Sequence, residues 1–314
     1  MIRKMRQIWL ALFLCAALFP CLFSAERRKA FDFVRHVKVG EKYELFARFG
    51  QTADYRFSLA GSEGKSLGKY ESVKSDLSAV LLVKSAGEKG EMREALLRIR
   101  SLSGSVNGKN IPCNELEGKS VLVRWEASGT SFTPRDKGRS LNEEETLLLL
   151  PFFQSPSGSA FSDLAGEGRS LLRGEVFPLN TEKIRASLAK RKIFCSEKDL
   201  EAFCRYEGIF PFRNRPCGRF SLHMKSDKIP GYQFRYQATI YLPENKEDGP
   251  PWNIQRSAVE FLSRNVTPAN HFAAGGQMTC EIKEDSSIVM FPCEKEEEKM
   301  PEGGFFDLLK RKGK

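Results

Sequence analysis

The stretch from Cys217 to Pro243 constrains the fold more than any other part of the chain. Tyr232, Phe234, Tyr236, Ala238, Ile240 and Leu242 fall on one side of an extended backbone, and Gln233, Arg235, Gln237, Thr239 and Tyr241 fall on the other. This is the period-2 pattern of a strand with one buried face. Upstream, Phe220, Leu222 and Met224 alternate with Ser221, His223 and Lys225, and Asp227 to Gly231 supplies the Pro and Gly of a reversal. The two runs are predicted to pair as a hairpin, apolar on one face and turned to solvent or ligand on the other.

The remaining chain repeats this pattern in shorter pieces. Alternation over Phe31–Val39, Tyr43–Phe49 and Tyr55–Leu59 predicts strands, with a turn at Gly50–Asp54 and a Gly/Ser/Lys-rich loop over 61–69. Ala79–Lys84 and Ala95–Leu102 read as strands joined by a polar turn, and Asn107-Gly108 as a tight hairpin between Ser105-Val106 and Lys109–Ile111. Val121, Val123 and Trp125 begin another strand, turned at Ser128-Gly129-Thr130. In the middle, Asn142 with Glu145 forms a capping box ahead of a short buried helix that Pro151 ends. The Ser/Gly/Pro-rich residues 154–168 read as a loop. Thr181–Lys192 and Ser196–Tyr206 read as two further helices. A strand near Ser257–Arg264 and a final pair, Gln277–Lys283 and Ser287–Phe291, complete the pattern. The fold class is α+β, mostly β: antiparallel curved sheet of short strands, with two or three helices inserted mid-chain. The expected division is 1–25 signal peptide, 26–140 β-rich half, 141–216 helical and loop connection, 217–293 second β-rich half, and 294–314 charged disordered tail.

Residues 1–25 have the composition of a signal peptide: Arg3, Lys4 and Arg6, then an apolar run over Ile8–Phe23, then Ser24-Ala25 before Glu26-Arg27-Arg28-Lys29. The alternative is a retained anchor over residues 8–24, which is short for a span and interrupted by Pro20. Export places the chain in the periplasm or outside the cell, with membrane contact only through this segment if uncleaved. Its removal takes away three basic residues and lowers the formal charge from +10 to +7. The excess is spread along the chain without the clustering of a nucleic-acid footprint, so no nucleic-acid partner is expected.

Six cysteines remain, Cys113, Cys195, Cys204, Cys217, Cys280 and Cys293, an even number in a chain bound for an oxidising compartment. With Ser196–Tyr206 helical, Cys195 and Cys204 cannot reach each other, so Cys204 or Cys195 is expected to meet Cys217. A reversal at Ser286-Ser287 would set Cys280 opposite Cys293 in a terminal hairpin, while one at Asp285-Ser286 would set Cys280 opposite Phe291. The first register predicts a Cys280–Cys293 bridge.

Motifs with chemical meaning are sparse. Gly64-Lys65-Ser66-Leu67-Gly68 matches the Gly-x-Ser-x-Gly of a nucleophile elbow, but no helix follows it and a surface loop is the expected reading. Gly64-Lys65-Ser66 and Gly118-Lys119-Ser120 end like phosphate loops, yet Leu59 and Cys113 stand where the first glycine belongs. His36, His223 and His271 are too dispersed for a metal site, and no Cys-x-x-Cys occurs, so neither metal nor cofactor is expected. Glu143–Glu145 and Glu296–Glu298 are explained by a helix start and a solvated tail. His223 lies on the polar side of the main hairpin. The 24 phenylalanines are expected to be core, though an incompletely filled concave face would leave an aromatic groove lined by Tyr232, Phe234 and Tyr236 for lipid or peptide.

The signal, the two strand-rich halves, the recurring Gly40-Glu41 and Gly174-Glu175, and Leu116-Glu117-Gly118-Lys119-Ser120-Val121-Leu122-Val123 before a Gly turn together resemble secreted bacterial proteins of unknown function with lipoprotein-carrier-like curved sheets. That resemblance implies a fold and no activity. The expected function is an exported non-enzymatic envelope protein binding an apolar or peptidic ligand, or another envelope protein, on its sheet. The alternatives are a structural or interaction protein of the envelope, and a hydrolase whose site is assembled from distant residues.

Overall fold

The alternating runs become fourteen strands, and twelve of them join one antiparallel sheet. The computed structural model describes residues 28–293 except 60–65, 89, 127–128, 136–139, 155–158, 251 and 267–275. The proposed signal peptide, the charged tail, most of the 61–69 loop and His271 lie outside the described residues. In chain order the elements are β1 (Lys29–Asp32), β2 (Lys42–Leu59), β3 (Ser66–Ala86), β4 (Met92–Val106), β5 (Lys109–Ile111), β6 (Ser120–Glu126), β7 (Gly129–Pro134), α1 (Glu143–Leu149) and α2 (Ser159–Ala165). There follow β8 (Gly168–Leu171), β9 (Val176–Pro178), α3 (Thr181–Lys190), β10 (Glu201–Phe212), β11 (Arg215–Ile229), β12 (Tyr232–Pro243), β13 (Asn253–Val266) and β14 (Gly276–Pro292). The large sheet runs β7-β6-β4-β3-β2-β14-β13-β12-β11-β10-β9 with β5 beside β4, and β1 pairs with β8 separately. The sheet is curved and does not close, so β7 and β9 are its ends.

One face of this sheet is covered. Over its first half, Leu45, Leu77, Leu81, Leu97 and Val121 are buried with α1 against them. Asn142 caps α1 through the Glu145 amide, Glu145 returns the bond to the Asn142 amide, and the Leu148 carbonyl accepts from the Ser75 hydroxyl at 2.9 Å. Gly104 permits this docking, because a Cβ there would lie 2.3 Å from the Lys74 carbonyl and 2.7 Å from the Leu148 side chain. Over the second half, Phe31, Phe33, Phe161, Phe177, Tyr206 and Phe220 form a ring cluster under α2 and α3. The Phe31–Phe220 and Phe33–Phe220 rings meet edge to face at 5.1 and 5.5 Å, an arrangement that aromatic quadrupoles favour.

The main hairpin forms as expected, with Phe220 opposite Ile240, Leu222 opposite Ala238 and Met224 opposite Tyr236. Asn107 and Gly108 turn β4 into β5 with φ of 52° and 77°, the left-handed pair such a turn requires.

Five expectations are corrected. Gly50–Asp54 is not a turn: β2 runs through it, with Gly50 paired to Lys74 on one side and Asp285 on the other. Ladders on both edges satisfy the backbone and override weak turn propensities. For the same reason no reversal occurs at residues 285–287, because Asp285 and Ser286 pair with Ser257 and Arg256 within an unbroken β14. Residues 200–206 are not helical. The capping box Ser196–Asp199 is present but caps a single 3₁₀ turn, after which Ala202, Cys204 and Tyr206 alternate into the covered face as part of β10. Residues 154–168 contain α2, and of the run Phe31–Val39 only the beginning is strand. The strands are also longer than the short apolar runs that mark them, reaching 21 residues in β3.

The bridges fail with the elements that predicted them. Cys280 is opposite Leu262 and Tyr55, and the Cys293 amide donates to the Lys42 carbonyl just beyond the far end of the same strand. At about 3.3 Å per residue the two are roughly 40 Å apart. Cys204 is opposite Leu222 and Cys217 opposite Phe210, out of register on neighbouring strands. None of the six forms a disulfide.

Candidate ligand cleft

The four residues singled out on the main hairpin divide between the two faces. Tyr232, Phe234 and Tyr236 pack against the aromatic cluster on the covered face. Arg191, just past the end of α3, lies over Tyr232, its Cζ 5.7 Å from the ring, and forms a two-pronged ion pair with Glu260 whose Nη1 bond is 3.0 Å. Burial pushes the Tyr232 phenol up, and Glu260 adds to it. His223 is on the opposite face, stacked on Phe203 with centroids 5.1 Å apart. It lines a hollow of about 460 Å³ together with Arg48, Gln237, Thr239, Gln255 and Ser287.

The other sequence motifs take structural roles. Ser66 opens β3 opposite Ser58, an extended setting unlike the strand-to-helix turn of a nucleophile elbow, while Gly64 and Lys65 lie outside the described residues. Gly118 has φ +74° and turns the chain into β6. Among the described residues no group of three or more His, Cys, Asp or Glu side chains could hold a metal ion.

The larger concavity, about 1930 Å³, lies where the uncovered side of β3 and β4 meets the segment 38–43 and the loop 247–248. Its floor is aliphatic. Val80 and Leu82 on β3 and Leu96 on β4 are half-buried, while their neighbours Leu81 and Leu97 are buried on the covered face. The register places Leu96, Leu82 and Lys42 in one cross-strand row and Arg98, Val80, Glu44 and Phe291 in the next.

The rim is built from two segments fastened together. Arg35 is 2% exposed and donates to the Pro243 and Asn245 carbonyls at 2.6 and 2.9 Å. Burial lowers its pKa to about 10, opposed by Asp32 and Asp248, so it stays charged at neutral pH. Lys38 pairs with Glu247 at 2.7 Å. Glu41 accepts from the Lys38 amide at 2.9 Å and from the Tyr43 hydroxyl at 2.5 Å. Arg215 reaches Asp248 at 3.7 Å, and Arg100 reaches Glu44 at 3.3 Å. Five cations, Lys38, Lys42, Arg98, Arg100 and Arg215, thus line the cleft against the three carboxylates of Glu41, Glu247 and Asp248.

Beside the cleft the uncovered face carries a small aromatic cluster. Phe291, Trp252 and Cys217 are buried, with Phe212, Tyr241 and Val289 around them. The two-residue turn Arg213-Asn214, φ 48° and 61°, sets the Arg213 guanidinium 3.4 Å above the Phe291 ring. Arg215 lies over Trp252 and Arg219 over Phe210 and Tyr241. Burial pushes the Cys217 thiol up to about 11, with Asp248 adding and Arg35 opposing.

The cleft residues were overlooked in the sequence although a signal was present. Val80-Leu81-Leu82-Val83 and Ala95-Leu96-Leu97 are unbroken apolar runs, which mark strands that need cover on both faces.

No family model and no curated protein matches the chain. Among solved structures it is weakly similar to lipovitellin, in a study of its lipid–protein interactions, at 9% identity and TM-score 0.24, spanning 81% of this chain but only 25% of that one. A β-barrel-like protein of a domain of unknown function from Brucella abortus matches at 8% identity and TM-score 0.21 over 82% of this chain and 100% of that one. An outer membrane lipoprotein-sorting protein domain from Vibrio parahaemolyticus matches at 10% identity and TM-score 0.14 over 80% and 89%. Among the described residues no helix is long and apolar enough to cross a membrane.

Proposed function

We propose that the chain is an exported, non-enzymatic protein of the cell envelope that holds an apolar or peptidic ligand on its sheet. The observation that carries this reading is the cleft of about 1930 Å³ over Val80, Leu82 and Leu96. A strand apolar on both sides gains from cover on both, and here helices cover one side only. Export is supported by the composition of residues 1–25. The division at residues 140 and 216 belongs to the same reading.

The test is to produce the full chain in its envelope, purify it under mild conditions and analyse what it carries. Expected are processing near Ala25 and a lipid or peptide bound in stoichiometric amount. Protein that emerges empty, and whose melting temperature no envelope lipid or peptide fraction raises, would overturn the reading. A second reading, a structural or interaction protein, is favoured by the sheet ending in β7 and β9, whose outer sides pair with no strand among the described residues and are ready templates for strand addition.

A further inference from the structure

We propose that the cleft over β3 and β4 takes a single-chain anionic amphiphile, its hydrocarbon chain along Leu96, Leu82 and Val80 and its acid head group at Arg98. The inference rests on the reading of the chain as a ligand-binding protein and adds the site and the chemical class of ligand.

Three observations select this class. First, the floor offers a peptide nothing to pair with: β3 is hydrogen-bonded to β2 and β4, and β4 to β3 with β5 and β6 along its other edge. A bound molecule meets side chains only, which suits a hydrocarbon chain better than a peptide backbone that needs partners for its own polar groups.

Second, the charges around the floor do not balance. Each lining carboxylate is engaged by a rim partner: Glu247 by Lys38, Asp248 by Arg215 and Glu41 by Tyr43 and the Lys38 amide. Arg98 is exposed beside Val80 and pairs with no carboxylate among the described residues. A guanidinium presents a donor fork that matches a carboxylate or phosphate, and here it stands opposite Val80 and two residues along β4 from Leu96.

Third, the cleft exceeds the roughly 300–1,000 Å³ of ordinary small-ligand pockets, which leaves room for a long chain lying over the floor. Val39, 66% exposed on the facing segment 38–43, offers a further apolar contact.

The test uses the full chain without its first 25 residues and three probes of equal chain length: palmitate, hexadecyl phosphate and the neutral hexadecanol. Binding is followed by displacement of a fluorescent fatty acid and by calorimetry. Both anions are expected to bind at least tenfold more tightly than the alcohol. Arg98→Glu is expected to remove that advantage while leaving the alcohol unchanged. Leu82→Asp is expected to weaken all three probes at least tenfold. The control is Arg93→Glu, an exposed cation of β4 outside the cleft, which should change nothing.

Equal affinity for anion and alcohol, or the same loss in Arg98→Glu and Arg93→Glu, would overturn the inference. So would binding that survives Leu82→Asp in protein whose circular dichroism is unchanged. If the envelope-purified protein carries a ligand that Arg98→Glu and Leu82→Asp leave bound, this site is wrong while the ligand-binding reading stands. If it carries none and no probe binds, both fail.

Discussion

The first half of the sheet buries Leu45, Leu77, Leu81, Leu97 and Val121 beneath one short helix, whereas the second buries Phe31, Phe33, Phe161, Phe177 and Phe220 beneath two. The aliphatic core is largely drawn from one run of chain between Tyr43 and Phe153, with Val37 and Met290 added from outside it. The aromatic core is gathered from β1, α2, β9 and β11, so its rings arrive from distant parts of the sequence. The first half, moreover, carries aliphatic Val80, Leu82 and Leu96 on its uncovered side, and that is where the cleft lies. Burial by neighbouring strands leaves one face to be completed by something else, while burial by distant segments completes the fold itself.

Phe220 is where this contrast breaks most visibly. It touches the rings of Phe31, Phe33, Phe161 and Tyr206 at once, so Phe220→Ala should cost about 3–5 kcal/mol. Urea denaturation followed by near-ultraviolet circular dichroism would read it, and a loss below about 1 kcal/mol would show that the rings are not one unit. Leu148→Ala truncates a fully buried side chain by which α1 packs on the first half and should cost about 3 kcal/mol. If the two halves unfold as separate units, Leu148→Ala will shift only one of two transitions, and a single shared transition would show them coupled.

The thiols and phenols sharpen the comparison through pH. Burial raises Cys204, Cys217 and Tyr232 in the second half. The native state therefore keeps protons that the unfolded chain loses, and the stability these groups contribute is complete below the unfolded thiol value near 8.5. It falls as pH rises from there, through about 11 for Cys217. Thermal melts between pH 7 and 11 should show a steady decline, and Cys217→Ala should flatten it. A flat profile in the parent protein would contradict the burial. The smallest effect is local to the first half: Asn142→Ala removes the cap of α1 and should cost about 1 kcal/mol, visible as a small drop in urea midpoint.

Legibility followed whichever side of a strand met the core. The main hairpin, the Asn107-Gly108 turn and α1 were readable because alternation, turn chemistry and capping pointed the same way. The runs Gly50–Asp54 and Asp285–Ser287 were not, since they lie in the centre of the sheet, where pairing on both edges holds residues that would turn elsewhere. Residues 196–206 carried a true cap whose helix never grows, because Ala202, Cys204 and Tyr206 gain more by alternating into the aromatic core. Of the site, His223 and the hairpin tyrosines were legible on opposite faces, because strict alternation along β11 and β12 separates them. The cleft was hidden because Leu82 and Leu96 look like more of the core until the helices are seen to cover only the other side.

The position of β14 bears on how such a chain can come to fold at all. The last strand lies between β2 and β13, with Leu45 opposite Met290 and Tyr43 opposite Pro292. Bringing those ends together closes a loop of well over two hundred residues, at an entropic cost of about 5 kcal/mol beyond the fixed term. A chain delivered from its N-terminus can assemble β2–β4 early, but the 18 residues of β2 then wait with one edge unpaired until almost everything else has arrived. Folding is therefore expected to be slow, and its vulnerable period is the interval in which that edge is bare and open to pairing with a neighbouring chain. The centre of the finished sheet is the last part of it to exist.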